Sequence, residues 1–165
     1  MIFVYIISDL IRFVNINICM NTSPNGIKLI QQSEGFVNHC YPDAGGFSIG
    51  FGTHLDTPEL LSQYKNEIVT VEQATILMQP KITLSEKTIN QYVTVTLTQN
   101  QFDALVDFTY NLGSGALISS TLLTLLNKGL FEEAANEFPK WNHSGGKVIP
   151  GLTRRRETEK LLFLS

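Results

Sequence analysis

Glu34 and Asp43 are the two acidic residues in this 165-residue chain whose setting invites chemistry. Glu34 precedes Gly35 at the end of a short predicted helix. Asp43 lies nine positions on and opens the turn Asp43-Ala44-Gly45-Gly46. Both fall on irregular backbone beside a predicted turn and strand over 43–53. Two carboxylates flanking a groove are what glycoside hydrolysis requires. One must be protonated to donate to the leaving oxygen, and the other ionised to activate water or steady a positive sugar. The ordinary reading competes strongly. The chain has fifteen acidic residues, most carboxylates are simply solvated, and Asp before Ala-Gly-Gly is a common turn residue. On spacing alone, the ordinary reading weighs more.

Along the predicted strand, Phe47, Ile49 and Phe51 alternate and share one face, while Ser48, Gly50 and Gly52 share the other. Two glycines beside one hydroxyl leave that face bare, which suits close approach by a ligand. A bulge or a twisted hairpin would also require them. His54, just beyond, either contacts a ligand or ends the strand. Arg154, Arg155 and Arg156 form the densest basic cluster. They read as a solvated helix face with Glu157 and Glu159 as local partners. Three consecutive residues sweep about 200° of a helix, however, so at least one must point toward the protein. Cys19 and Cys40 match no zinc spacing, and the histidines at 39, 54 and 143 do not cluster as metal ligands. No metal and no cofactor are expected, and Cys40 reads as a small hydrophobe.

The elements that must position these groups are mainly helical. Ser23-Pro24 is an N-cap followed by Pro at the first helical position, and opens a helix to about Ser33. Thr70-Val71-Glu72-Gln73 and Thr98-Gln99-Asn100-Gln101 have capping-box spacing. The first predicts a helix through Met78 that Pro80 kinks or ends, with a second helix over Ile82 to Val93. The other predicts a helix stopped by Gly113. Shorter helices are expected over 122–126 and 130–138, and a last one from Thr153 to Leu164. With one small β element near the front, this is an α+β pattern. Phe108, Tyr110, Leu112 and Trp141 read as core, and Asn111 as a residue of a helix end.

Apolar residues make up 43% of the chain and charged residues 16%, enough for a real core and too few charges for composition-driven disorder. A net charge of −3 offers no footprint for nucleic acid. Residues 1–19 differ from the rest: fourteen of the nineteen are apolar, with Asp9 and Arg12 the only charges. Met1–Ser8 is too short to span a bilayer, and no basic start or small-residue cleavage site marks a secretory signal. Three readings stand: an atypical membrane-targeting anchor, a strand or helix packed on the domain, or an extension upstream of a natural start at Met20. The last is favoured because a well-formed helix start follows at once.

The string SEGFVNHCYPDAGGFSIGFGTHL, residues 33–55, resembles the active-site segment of phage-type lysozymes, glycoside hydrolase family 24. QFDALVDFTYNLGSGALISSTLLTLLNKG, residues 101–129, is similar to that family's long core helix and the helix after it. WNHSGGKVIPGLTRRRETEKLL, residues 141–162, is similar to its C-terminal segment. The resemblance spans residues 20–165, with these three motifs in the right order. There are departures. The turn after Asp43 is one residue shorter than the family's, Ser48 replaces its Thr, and Thr53 intervenes before His54.

The resemblance implies a lysozyme-like fold, with a small β-hairpin lobe and a larger helical lobe built around residues 98–112. It implies hydrolysis of the β-1,4 bond between N-acetylmuramic acid and N-acetylglucosamine in peptidoglycan. Glu34 would be the general acid, and Asp43 with Ser48 would orient the attacking water, which predicts inversion. Gly50, His54, Asn111, Arg154 and Arg155 would line the site, and one of Arg154, Arg155 and Arg156, the first two favoured, would touch the catalytic Glu. The expected protein is a monomer that acts on the bacterial cell wall without a stable membrane span. It would be exported by a pore or a secretion apparatus if residues 1–19 do not do so. Chitin hydrolysis and an inactive wall-binding module are the alternatives.

Overall fold

A computed structural model describes residues 19–43 and 45–165. The readings made for residues 1–18 therefore lie outside the described residues. Ser23 caps helix α1 (Pro24–Glu34) by accepting the Gly26 N–H, and Gly35 ends it at φ 73°. Strand β1 (Val37–Asp43) then pairs antiparallel with β2 (Gly46–Gly50), which pairs with β3 (Thr53–His54). The register sets Tyr41 opposite Ser48, and Ser48 opposite His54. Directly opposed residues project to the same face, so the three form a row across the sheet. The register shifts between Val37 and Tyr41, where β1 bulges.

Helix α2 (Pro58–Tyr64) follows, capped by Thr57, and was missed in the sequence. Helix α3 (Val71–Tyr92) corrects the expectation of two helices: it runs unbroken through Pro80. Proline removes one helical N–H and costs about 3 kcal/mol in a helix interior. Ile76, whose carbonyl loses that bond, lies on an open face, as do Gln79 and Pro80, so water can serve it. Met78, Ile82 and Ile89 on the opposite face are buried in the core. Burial of side chains of that size contributes about 1.5–3 kcal/mol each, which outweighs the proline.

Helix α4 (Gln99–Leu112) is the centre of the larger lobe. Every residue from Phe102 to Tyr110 is buried, and the helix packs against α1, α3 and the C-terminal helix. A helix buried all round must be apolar or have its polar groups partnered, and Asp103 and Asp107 are buried there. Asp103 Oδ1 accepts the Ser23 N–H at 3.0 Å and Oδ2 accepts the Ser23 hydroxyl, fixing the start of α1 on the core.

Short helices α5 (Ser114–Ile118), α6 (Thr121–Leu126) and α7 (Phe131–Ala135) complete this lobe. The helix expected over 130–138 stops at Ala135, and a 3-10 turn takes over at Phe138–Trp141. Pro139 has no N–H to continue an α-helix. A hairpin of β4 (His143–Ser144) and β5 (Lys147–Val148) turns on Gly145 and Gly146, both at positive φ. Helix α8 (Pro150–Phe163) starts a turn earlier than expected, with Pro at its first position. No helix among the described residues is long and apolar enough to cross a membrane.

Candidate active site

Glu34 closes α1, and its neighbour Gly35 lets the chain reverse into the sheet. Its side chain is 21% exposed. Arg155 reaches it from α8, donating from Nη1 to Glu34 Oε1 at 2.8 Å. Two of the three arginines turn inward: Arg154 is exposed, Arg155 meets Glu34, and Arg156 is wholly buried. The Arg155 guanidinium also forks onto Asp107 of α4, with Nε to Oδ2 at 3.0 Å and Nη2 to Oδ1 at 2.7 Å. Burial works against this charge, but the Asp107 carboxylate and then Glu34 outweigh it, so the Arg155 pKa rises.

Beneath lies a second pair. Arg156 donates to Glu159 Oε1, and its guanidinium sits 5.1 Å from the Phe108 ring centroid. Burial lowers the Arg156 pKa despite that partner. Burial, and then the nearby Asp107 charge, push the Glu159 carboxyl well above the usual range.

On the sheet, Ser48 donates to Asp43 Oδ2 at 2.9 Å. Its hydroxyl also lies 3.4 Å from His54 Nδ1. Ser48 is wholly buried, so its hydroxyl faces the carboxylate and the imidazole rather than open solvent. Tyr41 flanks it on the other side. Burial raises the Tyr41 pKa, and the charges of Asp43 and then Glu34 raise it further, against a hydrogen bond with Ser48. One phenol thus feels both acids.

The bare-face expectation needs correcting at Gly50. That glycine is buried at φ 68°, and a Cβ there would stand 2.7 Å from Ala74 Cβ. Its missing side chain admits α3, not a ligand. Gly52 is the glycine beside the acid: a Cβ there would stand 3.4 Å from Glu34 Oε2. His54 packs its ring over Gly46, where a Cβ would come within 3.1 Å. Asn111 is half-buried, and its Oδ1 is shielded from solvent with no hydrogen-bond donor among the described residues. Trp141 stacks edge-on against Phe108 at 5.5 Å and serves packing.

Sequence reading passed over Tyr41, Lys81 and Asp107, and placed Glu159 only as a surface partner of the arginines, whereas it is wholly buried. Asp107 carried a legible signal, an acid in the apolar run Ala104-Leu105-Val106-Asp107-Phe108, because a buried polar residue is the informative exception. Tyr41 follows from the strand register alone. Lys81 holds its ammonium 4.2 Å from the centroid of the buried Tyr110 ring. Its pKa is lowered by burial and raised in part by the charge of Glu34. Burial, and then the Glu34 charge, raise the Tyr110 pKa. No cluster of His, Cys, Asp or Glu among the described residues would hold a metal.

Residues 31–159 match the Phage lysozyme family. The endolysin of Bacillus phage B103 is 44% identical over 149 residues, which are 88% of this chain and 55% of that protein. The chain thus spans just over half the length of that relative. A solved point mutant of P22 lysozyme is 34% identical, with a TM-score of 0.79 over 88% of this chain and 99% of that one. The muramidase domain of SpmX from Asticaccaulis excentricus is 33% identical, with a TM-score of 0.78 over 88% and 98%.

Proposed function

Since this chain belongs to the phage lysozyme family, we propose that it is an endolysin-type muramidase, with residues 20–165 as its catalytic domain. It hydrolyses the β-1,4 bond between N-acetylmuramic acid and N-acetylglucosamine in peptidoglycan. The observation that carries the proposal is a part-exposed Glu34 held from α8 by Arg155, with Asp43 held by Ser48 on the neighbouring sheet. The names of the relatives, endolysin and muramidase domain, support the same reading.

Glu34 is the general acid in this mechanism. Its partial exposure lets a sugar reach it, and Gly52 keeps side-chain bulk off its second oxygen. Asp43 is the base that draws a proton from water on the opposite face of the sugar. Ser48 spends its only proton on Asp43 at 2.9 Å, so it fixes the orientation of the carboxylate that takes the water's proton. The His54 ring limits the freedom of the Ser48 hydroxyl at a turn one residue shorter than the family's. Attack from the face opposite the leaving group inverts the anomeric centre. Asn111, half-buried at the end of α4, is assigned to sugar binding in this reading.

The enzyme works as a monomer on the cell-wall side of the membrane, reached through a pore or a secretion apparatus unless residues 1–19 direct its export. The test is release of reducing ends from purified peptidoglycan, with chitin oligomers in parallel. Glu34→Gln is expected to lower the rate by roughly 10²–10⁴-fold with the fold intact. Near-normal turnover in that variant would remove Glu34 from the chemistry. Wall binding without new reducing ends in the unaltered protein would point to an inactive module instead.

A further inference from the structure

A guanidinium offers five N–H donors in a rigid fork, and Arg155 divides them unequally. Two donors go in parallel to Asp107, at 2.7 and 3.0 Å, and one goes to Glu34 at 2.8 Å. The paired fork is the strongest form of this contact. The Asp107 side chain is 0% exposed, against 21% for Glu34. One positive charge is thus shared between an acid no substrate can touch and an acid that substrate must touch. Resting on the muramidase reading, we propose that Asp107 is a positioning residue for Glu34: by occupying the Arg155 fork it offsets the guanidinium charge and leaves Glu34 a single contact it can hold while protonated.

The chemistry requires such a device. A general acid must keep its proton until the leaving oxygen takes it, and a bare cation at hydrogen-bond distance favours the ionised form. The other groups facing this cluster are few. Glu159 lies 3.7 Å from Arg155 Nε and is itself engaged by Arg156 on the same helix. From α3, Lys81 adds positive charge near Glu34. From α8, Arg156 adds positive charge beside Arg155 and Asp107, and from α4, Tyr110 and, from β1, Tyr41 and Asp43 complete the surroundings among the described residues. Asp107 is the group that meets the guanidinium fork in both directions. An acid serving only the fold would leave the pH dependence of catalysis where it is.

The test uses the full chain and Asp107→Asn, which keeps the side-chain shape and removes the charge. Two readouts run together: the pH profile of reducing-end release, and the titration of the Glu34 carboxyl followed by ¹³C NMR. Both the Glu34 midpoint and the basic limb of kcat/KM should move down by about one pH unit, with KM little changed. Above the limb that is roughly a tenfold loss of rate. A movement smaller than about half a unit in the folded variant overturns the proposal. Should Asp107→Asn fail to fold, the double variant Asp107→Asn/Arg155→Gln decides, because it leaves neither charge buried alone. Its Glu34 midpoint should stay within about half a unit of the unaltered protein. A larger rise means the guanidinium had acted on Glu34 unopposed, and overturns the proposal. The NMR arm needs no turnover, so an unaltered protein that releases no reducing ends would end the muramidase reading while this proposal is still judged.

Discussion

Replacing Gly50 by alanine tests whether the glycine serves the fold or the substrate. The new Cβ would stand 2.7 Å from Ala74 Cβ and 3.3 Å from Ala74 Cα. Real Cβ atoms do not approach so closely, and a rigid helix carries the neighbour. Overpacking of this kind costs about 1–3 kcal/mol. The backbone at φ 68° adds about 1–2 kcal/mol for any residue with a Cβ. Together these give about 2–5 kcal/mol, which for a domain of this size lowers Tm by about 4–20 °C. Thermal unfolding followed by circular dichroism measures it. Ala74→Gly in the same background removes the clashing methyl and should recover about 1–3 kcal/mol of coupling in a double-mutant cycle. Below its transition, the single variant should keep a near-normal KM, because Gly50 faces α3. A Tm within about 2 °C of the unaltered protein, together with a raised KM, would refute the packing argument and restore the glycine to the ligand's side.

Other perturbations probe the remaining contacts. Ser48→Ala removes a 2.9 Å hydrogen bond to a carboxylate. Such bonds are worth about 1.5–3 kcal/mol, so kcat should fall roughly 10–100-fold, and an unchanged kcat would leave Ser48 a packing residue. The raised Glu159 pKa means that the folded state binds this proton more tightly than the unfolded state does. Its contribution to stability is therefore full below the ordinary carboxylate range and is lost as pH rises through the folded value. The Tm of the unaltered protein relative to Glu159→Gln should thus decline as pH rises above the ordinary carboxylate range; a difference that grows with pH would show that Arg156 holds Glu159 ionised. The inverting course predicts that the α-anomer appears first in ¹H NMR of a hydrolysed glycan. Initial β-anomer would replace water activation with a covalent route through Asp43.

The helices that carry their own boundary chemistry were the legible ones. Ser23-Pro24, Thr70…Gln73 and Thr98…Gln101 state their caps locally, and all three caps form as read. Where the answer depended on distant partners, local pattern failed. Pro80 ends a helix unless the opposite face is anchored, and it is the burial of Met78 and Ile82 that carries α3 through. The hairpin at Gly145-Gly146 is too short to show an alternating pattern, although its paired glycines mark the turn. At the site, Glu34 and Asp43 drew attention because they flank a loop within one segment. Asp107 and Tyr41 did not, because their roles exist only after α8 docks on α4 and after β1 pairs with β2. Gly50 misled for a related reason: a missing side chain looks the same whether a ligand or a helix fills the space.

The contact from Arg155 to Glu34 joins residues 121 positions apart. One partner belongs to the first helix described and the other to the last. A polypeptide emerging from the ribosome therefore makes Glu34 121 positions before the arginine that steadies it. Chains cut short before the final helix have no completed centre, whatever the state of the sheet. Any fragment that lacks α8 carries Glu34 without its cation.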